Sequence, residues 1–181
     1  AAALGKIYIG LTVLCFVAYV LAGMDTFNAV SHALSTVSIG GFSTYDQSIG
    51  FFDNVNIEIV CIIFMLLSAT SFSLHYYLIF HGKRLKHFYD PELRFFFLII
   101  LGIIIIISFY YLIIDNLNLS SLRHIIFQTI SIVTTSGFVT EEYSFMPGFV
   151  PFLLLVGAFI GACSGSVGGG LKAWRVLIII N

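Results

Sequence analysis

Charge is scarce in this sequence. Only 9% of the 181 residues are Asp, Glu, Lys or Arg, whereas a soluble domain carries roughly 25%. A chain with so few charged side chains cannot cover the surface of a water-soluble fold, so the sequence predicts an integral membrane protein. The net charge of −1 also gives no electrostatic support for a nucleic-acid partner.

Cysteine is scarce as well. Cys15, Cys61 and Cys163 all lie in apolar or glycine-rich stretches. Thiols in such stretches usually pack as small hydrophobic groups, so the sequence does not predict a disulfide framework. The five histidines are scattered without the spacing of metal ligands, and we expect no cofactor.

Apolar residues, in contrast, make up 59% of the chain and gather in four long segments. These segments are residues 4–23, 55–80, 95–114 and 148–180. A helix needs roughly 20 apolar residues to cross a bilayer, so each segment is long enough. Strands of a membrane barrel would alternate apolar and polar residues, which these runs do not. The sequence therefore predicts an all-α, multi-pass membrane protein.

Basic residues indicate the orientation. The segment 81–94, "HGKRLKHFYDPELR", contains Lys83, Arg84, Lys86 and Arg94. Loops rich in Lys and Arg stay on the cytoplasmic side, so we expect this segment to be cytoplasmic and the protein to lie in the inner (cytoplasmic) membrane. The same residues would also suit an anchor to anionic lipid headgroups, and both roles are compatible.

A short polar sequence occurs twice between apolar segments. "STVSIGGFST" covers residues 35–44, and "SIVTTSGFVT" follows 96 residues later at 131–140. A single copy would be explained by a tight turn. Two copies at one offset, with apolar segments that start at a similar offset, indicate instead that one structural unit is used twice.

Each copy follows a segment too short to span the membrane. These segments are residues 25–38 and 118–134, and they begin with capping residues, Asp25/Thr26 and Ser120/Ser121. We therefore expect two re-entrant loops, in which a short helix enters the membrane and an extended strand returns. Non-helical backbone at that depth persists only where it lines water or is buried in protein. Its carbonyls, together with the negative helix C-terminus, would favour a cation.

The last apolar segment is interrupted by the glycine-rich sequence "GACSGSVGGGLK" at residues 161–172. Each glycine costs about 1 kcal/mol in a helix interior, so a continuous helix is disfavoured. One interpretation is a site of close helix packing through small residues. The small polar residues Ser164, Gly165 and Ser166 favour the other interpretation, a flexible loop within the membrane.

Three stretches of the chain resemble the Trk/Ktr/HKT superfamily of potassium transporters. They are "GGFSTYDQSIGFF" at 40–52, "TTSGFVTEEYS" at 134–144 and "GACSGSVGGGLKAWRV" at 161–176. The chain is most similar to the Trk-type bacterial potassium-uptake membrane subunit. The resemblance implies a potassium-channel-like fold with tandem span–pore-helix–filter-loop–span repeats, four of them around a central pore. It also implies potassium as the substrate and a cytosolic nucleotide-binding regulatory subunit as a partner.

The resemblance assigns roles to residues of this sequence. It implies that potassium binds backbone carbonyls near Gly41 and Gly137. The implied selectivity filter consists of Ser38, Ile39, Gly40, Gly41 and Phe42 in the first loop, and of Thr134, Thr135, Ser136, Gly137 and Phe138 in the second. The implied gate loop beneath the filter contains Gly161, Ser164, Gly165, Ser166, Gly168, Gly169, Gly170 and Lys172.

Only two repeats are present, and they match the middle two of the family's four. Residues 1–80 would form the first repeat, 81–94 a cytoplasmic linker, and 95–181 the second repeat with its broken last helix. Either the chain is part of a longer one, the interpretation we favour, or two copies associate to complete the ring. A homodimer in the lipid bilayer is the expected assembly.

Two other functions remain open from the sequence. The "ACSGS" sequence around Ser164 is similar to the nucleophile region of an intramembrane serine protease, but such sites have glycine where Ala162 stands. A membrane scaffold subunit that conducts no ions is the second alternative. The protease alternative would leave the paired loops without an explanation.

Overall fold

The computed structural model describes residues 2–81, 90–114, 117–141 and 146–180. The described residues form eight α-helices and one short 3₁₀ helix, and no strand occurs among them. The all-α prediction is therefore confirmed for this part of the chain. Most of the predicted cytoplasmic linker, including Lys83, Arg84 and Lys86, lies outside the described residues.

The helices of the N-terminal half precede residue 82, and those of the C-terminal half follow residue 90. The first half contains α1 (Ala2–Leu21), α2 (Thr26–Val37), the 3₁₀ helix (Ser48–Phe52), α3 (Val55–Ala69) and α4 (Phe72–His81). The second half contains α5 (Pro91–Ile113), α6 (Leu119–Val133), α7 (Val150–Ile160) and α8 (Ala173–Ile180).

Two of these helices are long and apolar enough to cross a membrane, namely α1 over Leu4–Leu21 and α5 over Pro91–Ile113. The predicted continuous span over 55–80 is wrong, because α3 and α4 meet at an angle of 96°. The helix stops at Thr70, whose hydroxyl donates to the Leu67 carbonyl at 2.8 Å. The pair α3–α4 is therefore a bent span or a re-entrant turn.

Helix α5 presents one buried face and one exposed apolar face. The buried side chains follow spacings of three and four residues, as expected for one side of a helix: Phe96, Ile100, Ile103, Ile107 and Tyr111. Between them, large apolar side chains such as Leu98, Leu101 and Phe109 are exposed. A bilayer is the environment in which such an exposed apolar face is stable, which agrees with the prediction that segment 95–114 crosses the membrane.

Helices α2 and α6, which precede the two repeated loops, begin with side-chain caps. The Asp25 carboxylate accepts a hydrogen bond from the Asn28 backbone N–H at 3.2 Å and caps α2, as predicted. The predicted caps of α6, Ser120 and Ser121, are wrong. Asn118 caps this helix, and its side-chain oxygen accepts from the Ser121 N–H at 2.7 Å. Asparagine caps as well as serine does, so the helix begins earlier than predicted, directly after Asn118.

An ion pair joins the two halves. Arg123 on α6 contacts the Glu58 carboxylate on α3 with two nitrogens, Nε to Oε2 at 2.6 Å and Nη2 to Oε1 at 2.7 Å. Glu58 is buried, with 3% exposure. Arg123 Nη2 also lies 3.3 Å from Asp53, whose side chain is 89% exposed. Parallel two-point contact between guanidinium and carboxylate is the strongest ion-pair geometry in proteins.

We predict that Arg123→Ala destabilises the fold, because it leaves the Glu58 carboxylate buried without its counter-charge. Loss of one partner of a buried pair costs about 3 kcal/mol, taken at the lower end because Arg123 is partly exposed. Thermal unfolding in detergent should show a lower midpoint. Asp53→Asn is the matched control, since an exposed pair contributes at most about 1 kcal/mol.

The double variant Glu58→Leu/Arg123→Leu should unfold at a higher temperature than Arg123→Ala alone, because it leaves no unpaired charge. Equal midpoints for Arg123→Ala and Asp53→Asn would contradict the assignment of this ion pair as a structural link.

Candidate functional site

The two loops that follow α2 and α6 have the same backbone hydrogen bonds. In the first, the Ser38 N–H donates to Leu34 at 3.1 Å and the Gly40 N–H to Ser35 at 2.8 Å. In the second, the Thr134 N–H donates to Ile130 at 2.9 Å and the Ser136 N–H to Ser131 at 2.8 Å. Each partner lies 96 residues after its counterpart. The repeated sequence therefore has a repeated conformation.

The backbone torsions repeat as well. Ile39 and Thr135 have φ values of 54° and 66°, and Gly41 and Gly137 have values of 66° and 86°. A positive φ is strained for a β-branched residue, and here two such residues adopt it at equivalent places. Strain of this kind persists only where the surrounding structure imposes it, and it is common at functional sites.

The two loops meet at Gly41. A Cβ atom on Gly41 would lie 2.0 Å from the Ser136 carbonyl oxygen, so only glycine fits. Gly137 has open space around its Cα, and its positive φ is the reason for glycine there. The structure thus brings together the two loops that the sequence predicted as a pair.

The two phenylalanines differ. Phe138 is fully buried, and its ring stacks on His32 of the first half at a centroid distance of 6.1 Å. Its equivalent, Phe42, is 80% exposed. The second loop therefore packs against the first half of the chain, whereas the corresponding side of the first loop is open.

The glycine-rich segment 161–172 is not helical and separates α7 from α8. Gly161, Gly165 and Gly170 have φ between 71° and 83°. A Cβ on Gly161 would lie 2.3 Å from the Gly169 carbonyl oxygen, because the chain crosses itself at this point. A continuous helix with a small-residue packing face is therefore wrong, and the loop interpretation describes the conformation.

This segment lies against the second loop. The Gly169 N–H donates to the Thr135 hydroxyl at 2.6 Å. A Cβ on Gly168 would lie 2.9 Å from the Thr134 carbonyl oxygen. The Lys172 ammonium donates to the Gly168 carbonyl, so its cation is held within the segment. The contact brings the predicted gate residues directly next to the predicted filter residues.

The glycine-rich segment is also tied to the break between α3 and α4. Three backbone hydrogen bonds join them: Cys163 N–H to Ala69 at 3.0 Å, Val167 N–H to Ser68 at 3.3 Å, and Phe72 N–H to Gly165 at 3.1 Å. Each irregular segment thereby satisfies backbone groups of the other. This mutual pairing is the physical reason for the bend. The sequence did not predict the bend, because residues 70–71 include no helix-breaking residue.

Sequence reasoning missed Glu92. This residue lies in the first turn of α5 and is 8% exposed. Its Oε1 accepts the Ser164 N–H at 2.5 Å and the Trp174 N–H at 3.1 Å. One carboxylate oxygen thus holds the glycine-rich segment and the start of α8. A signal was available, because an acidic residue is unusual in so uncharged a chain and follows Pro91 at a helix start.

Two titratable groups, Asp25 and His32, lie beside the first loop, at the start of α2 and within it. Burial lowers the pKa of His32, and its Nδ1 donates to the Asn28 carbonyl at 2.8 Å. The Asn28 side chain in turn lowers the pKa of the Asp25 carboxyl by hydrogen bonding. Among the described residues, no group of three or more His, Cys, Asp or Glu side chains could hold a metal ion.

The chain is similar to known proteins along its whole length. The model of the family TrkH, described as a cation transport protein, matches residues 1–181. The Trk system potassium uptake protein TrkH of Halomonas elongata is 50% identical over 183 residues, which cover 100% of this chain and 38% of that protein. The Escherichia coli K12 protein of the same name is 42% identical over 185 residues, with the same coverage of 100% and 38%.

A solved structure agrees with this similarity. The crystal structure of the potassium transporter TrkH from Vibrio parahaemolyticus matches with a TM-score of 0.91 and 40% identity, and the match covers 99% of this chain and 39% of that one. The chain therefore spans less than half the length of these relatives. The family consists of membrane transport proteins rather than enzymes, so the serine protease alternative is wrong. The chain belongs to the TrkH family of cation transport proteins.

Proposed function

We propose that this chain forms two of four units around a potassium pathway in the cytoplasmic membrane. The observation that carries the proposal is the pair of loops with one backbone conformation, in contact at Gly41 and Ser136. The names of the relatives, Trk system potassium uptake proteins, supply the substrate. Each unit consists of a span, a short pore helix, a filter loop and a second span.

The loops would select the cation through backbone carbonyls. The pore helices α2 and α6 end at Val37 and Val133, directly before the loops, so their partial negative charge is directed toward the same place. Carbonyl oxygens can replace the hydration shell of potassium without a buried carboxylate. The filter then comprises residues 38–42 and 134–138, with Gly41 and Gly137 at its centre.

Two further units complete the ring. Phe138 is covered by the first half of the chain, while the equivalent Phe42 is 80% exposed. In a ring of four equivalent loops, another unit would cover Phe42 as His32 covers Phe138. The coverage of only 38% of the relatives favours units from the same longer chain over a second copy. A homodimer of the complete chain and a cytosolic nucleotide-binding regulatory subunit are the proposed partners.

The glycine-rich segment 161–172 would be the gate. It contacts Thr134 and Thr135 directly, so it lies next to the filter on the side of α8. Its glycines allow several backbone states at low steric cost. Irregular backbone at that depth is stable where it lines a wet path. Glu92 would hold the segment in the closed position through the Ser164 and Trp174 N–H groups.

We predict that Gly41→Ala and Gly137→Ala each relax the selectivity for rubidium over sodium in the complete transporter that contains this chain. Gly41→Ala places a Cβ against the Ser136 carbonyl, and Gly137→Ala strains a backbone with φ of 86°. Uptake of labelled rubidium and sodium into proteoliposomes measures the ratio. Gly10→Ala is the matched control, because nothing lies within 4 Å of a Cβ at this α1 position.

If both loop variants take up rubidium with the selectivity of the unchanged protein, these loops do not line the ion path. Absence of any rubidium uptake by the unchanged complete protein would favour the scaffold alternative instead.

We predict a second outcome for the gate. Deletion of residues 168–170 should raise basal rubidium flux and weaken its dependence on the cytosolic regulator, because the segment can no longer reach across the path. Flux must be expressed per folded protein, measured from the monodisperse fraction in size-exclusion chromatography. Unaltered flux per folded protein, still under control of the regulator, would show that this segment is not the gate.

Glu92 offers a test that does not depend on flux. Glu92→Ala removes the acceptor of two backbone N–H groups and should expose Cys163, which adjoins Ser164 and is 1% exposed. We predict that its reaction with a water-soluble maleimide accelerates roughly tenfold, since hydrogen bonds to charged groups contribute about 1.5–3 kcal/mol. Cys15 and Cys61 are replaced by alanine in all samples.

The matched control is Glu92→Gln, which keeps an acceptor oxygen and should react at nearly the unchanged rate. Equal rates for Glu92→Ala and Glu92→Gln would mean that Glu92 does not hold the segment in place.

A further inference from the structure

Helices α2 and α6 each carry two polar side chains, one turn apart, that face the exit segment of the following loop. The exit segment is residues 43–44 in the first loop and 140–141 in the second. On α2 the polar side chains are Asn28 and His32, and on α6 they are His124 and Gln128. The second pair lies 96 residues after the first, although the residue types differ. Asn28, His32 and Gln128 are buried, with exposures of 6%, 0% and 0%. Buried polar groups are costly unless they are hydrogen-bonded, so their partners are informative.

In the first unit, both side chains bind the exit segment, which directly follows Gly41 and Phe42. The Thr44 hydroxyl donates to the Asn28 side-chain oxygen at 2.5 Å. His32 Nε2 lies 2.9 Å from the Ser43 hydroxyl. Because His32 Nδ1 donates to a carbonyl, Nε2 of the neutral ring accepts a hydrogen bond from the Ser43 hydroxyl. The exit segment is thus attached to the pore helix α2 at two consecutive residues, Ser43 and Thr44.

In the second unit, the two equivalent positions of α6 bind the exit segment through other residue types. His124 Nδ1 lies 3.0 Å from the Thr140 hydroxyl. The Gln128 amide donates to the Glu141 carbonyl at 2.5 Å. Thr140 is the equivalent of Thr44, and both hydroxyls bind the first member of their pair. The connection is therefore repeated even where its residues are not.

We propose that four polar side chains of the pore helices fix the distance between each helix and the exit segment of its filter loop. These positioning residues are Asn28, His32, His124 and Gln128. The inference rests on the proposed function. Discrimination between potassium and sodium depends on where the filter carbonyls lie and how far they can move. An exit segment that is attached to a helix side chain close after the filter glycine moves less, so the hydroxyls of Thr44 and Thr140 limit how far the filter can widen.

The test removes one hydroxyl at a time without changing side-chain shape. Thr44→Val and Thr140→Val are made in the complete transporter, and rubidium and sodium uptake are measured per folded protein in proteoliposomes. The rubidium-to-sodium ratio should fall roughly three- to tenfold in each, as expected for loss of one hydrogen bond. Thr44→Ser and Thr140→Ser keep the hydroxyl and should restore the ratio.

Ser31→Ala is the matched control, because the hydrogen bond described for the Ser31 hydroxyl stays within its own helix, to the Phe27 carbonyl at 3.0 Å. It should keep the original ratio. Valine variants with an unchanged ratio, or with only a lower folded yield, overturn the proposal, and so does failure of the serine variants to restore it. If Gly41→Ala and Gly137→Ala also keep the ratio, the filter assignment itself fails; if they lower it while the valine variants do not, only the positioning role fails.

Discussion

The backbone of this chain must satisfy its own hydrogen bonds wherever it leaves the helix, because few charged side chains and little water are available to do so. That constraint is most visible where two irregular segments meet. The break between α3 and α4 donates to and accepts from the glycine-rich segment through three backbone hydrogen bonds. Each segment therefore satisfies part of the other's backbone hydrogen-bonding capacity. The bend of 96° and the interruption after α7 are therefore one structural feature.

Several of the charged groups within the described fold bind backbone groups or another charge. Glu92 accepts two N–H groups from the glycine-rich segment and α8, and Lys172 donates to a carbonyl of the same segment. Glu58 is paired with Arg123 between the two halves. Glu92 and the Glu58–Arg123 pair thus connect elements that are distant in sequence. In a chain with 9% charged residues, such connections define the tertiary arrangement more specifically than apolar packing, which is similar against protein and lipid.

The loops show how one unit depends on its neighbour. The residues that follow Phe138 in the second loop are covered by the 3₁₀ helix of the first half, where the Gly50 N–H donates to the Val139 carbonyl at 3.0 Å. A Cβ on Gly50 would lie 2.7 Å from the Thr140 carbonyl oxygen. The first loop lacks an equivalent cover within the described residues, and Phe42 is exposed. A ring of such units would be held by contacts that run from each loop to the preceding unit.

The sequence alone determined the class of protein, the positions of the short helices and the pairing of the two loops. Composition and periodicity suffice for these because they depend on local apolar length and on a repeat that can be read directly. The α6 cap was placed only two to three residues late, since asparagine and serine cap equally well. The glycine-rich break was also predictable, because helix propensity is a local property.

Only the tertiary structure decided the bend at Thr70, the role of Glu92, the Arg123–Glu58 pair and the contact at Gly41. Each depends on a partner that lies far away in sequence: 65 residues separate Arg123 from Glu58, and 72 separate Ser164 from Glu92. Local pattern cannot specify such a partner, because an acidic residue in a helix is compatible with exposure, capping or pairing. Packing chooses among them, since burial makes an unpaired charge or an unsatisfied N–H too costly to retain.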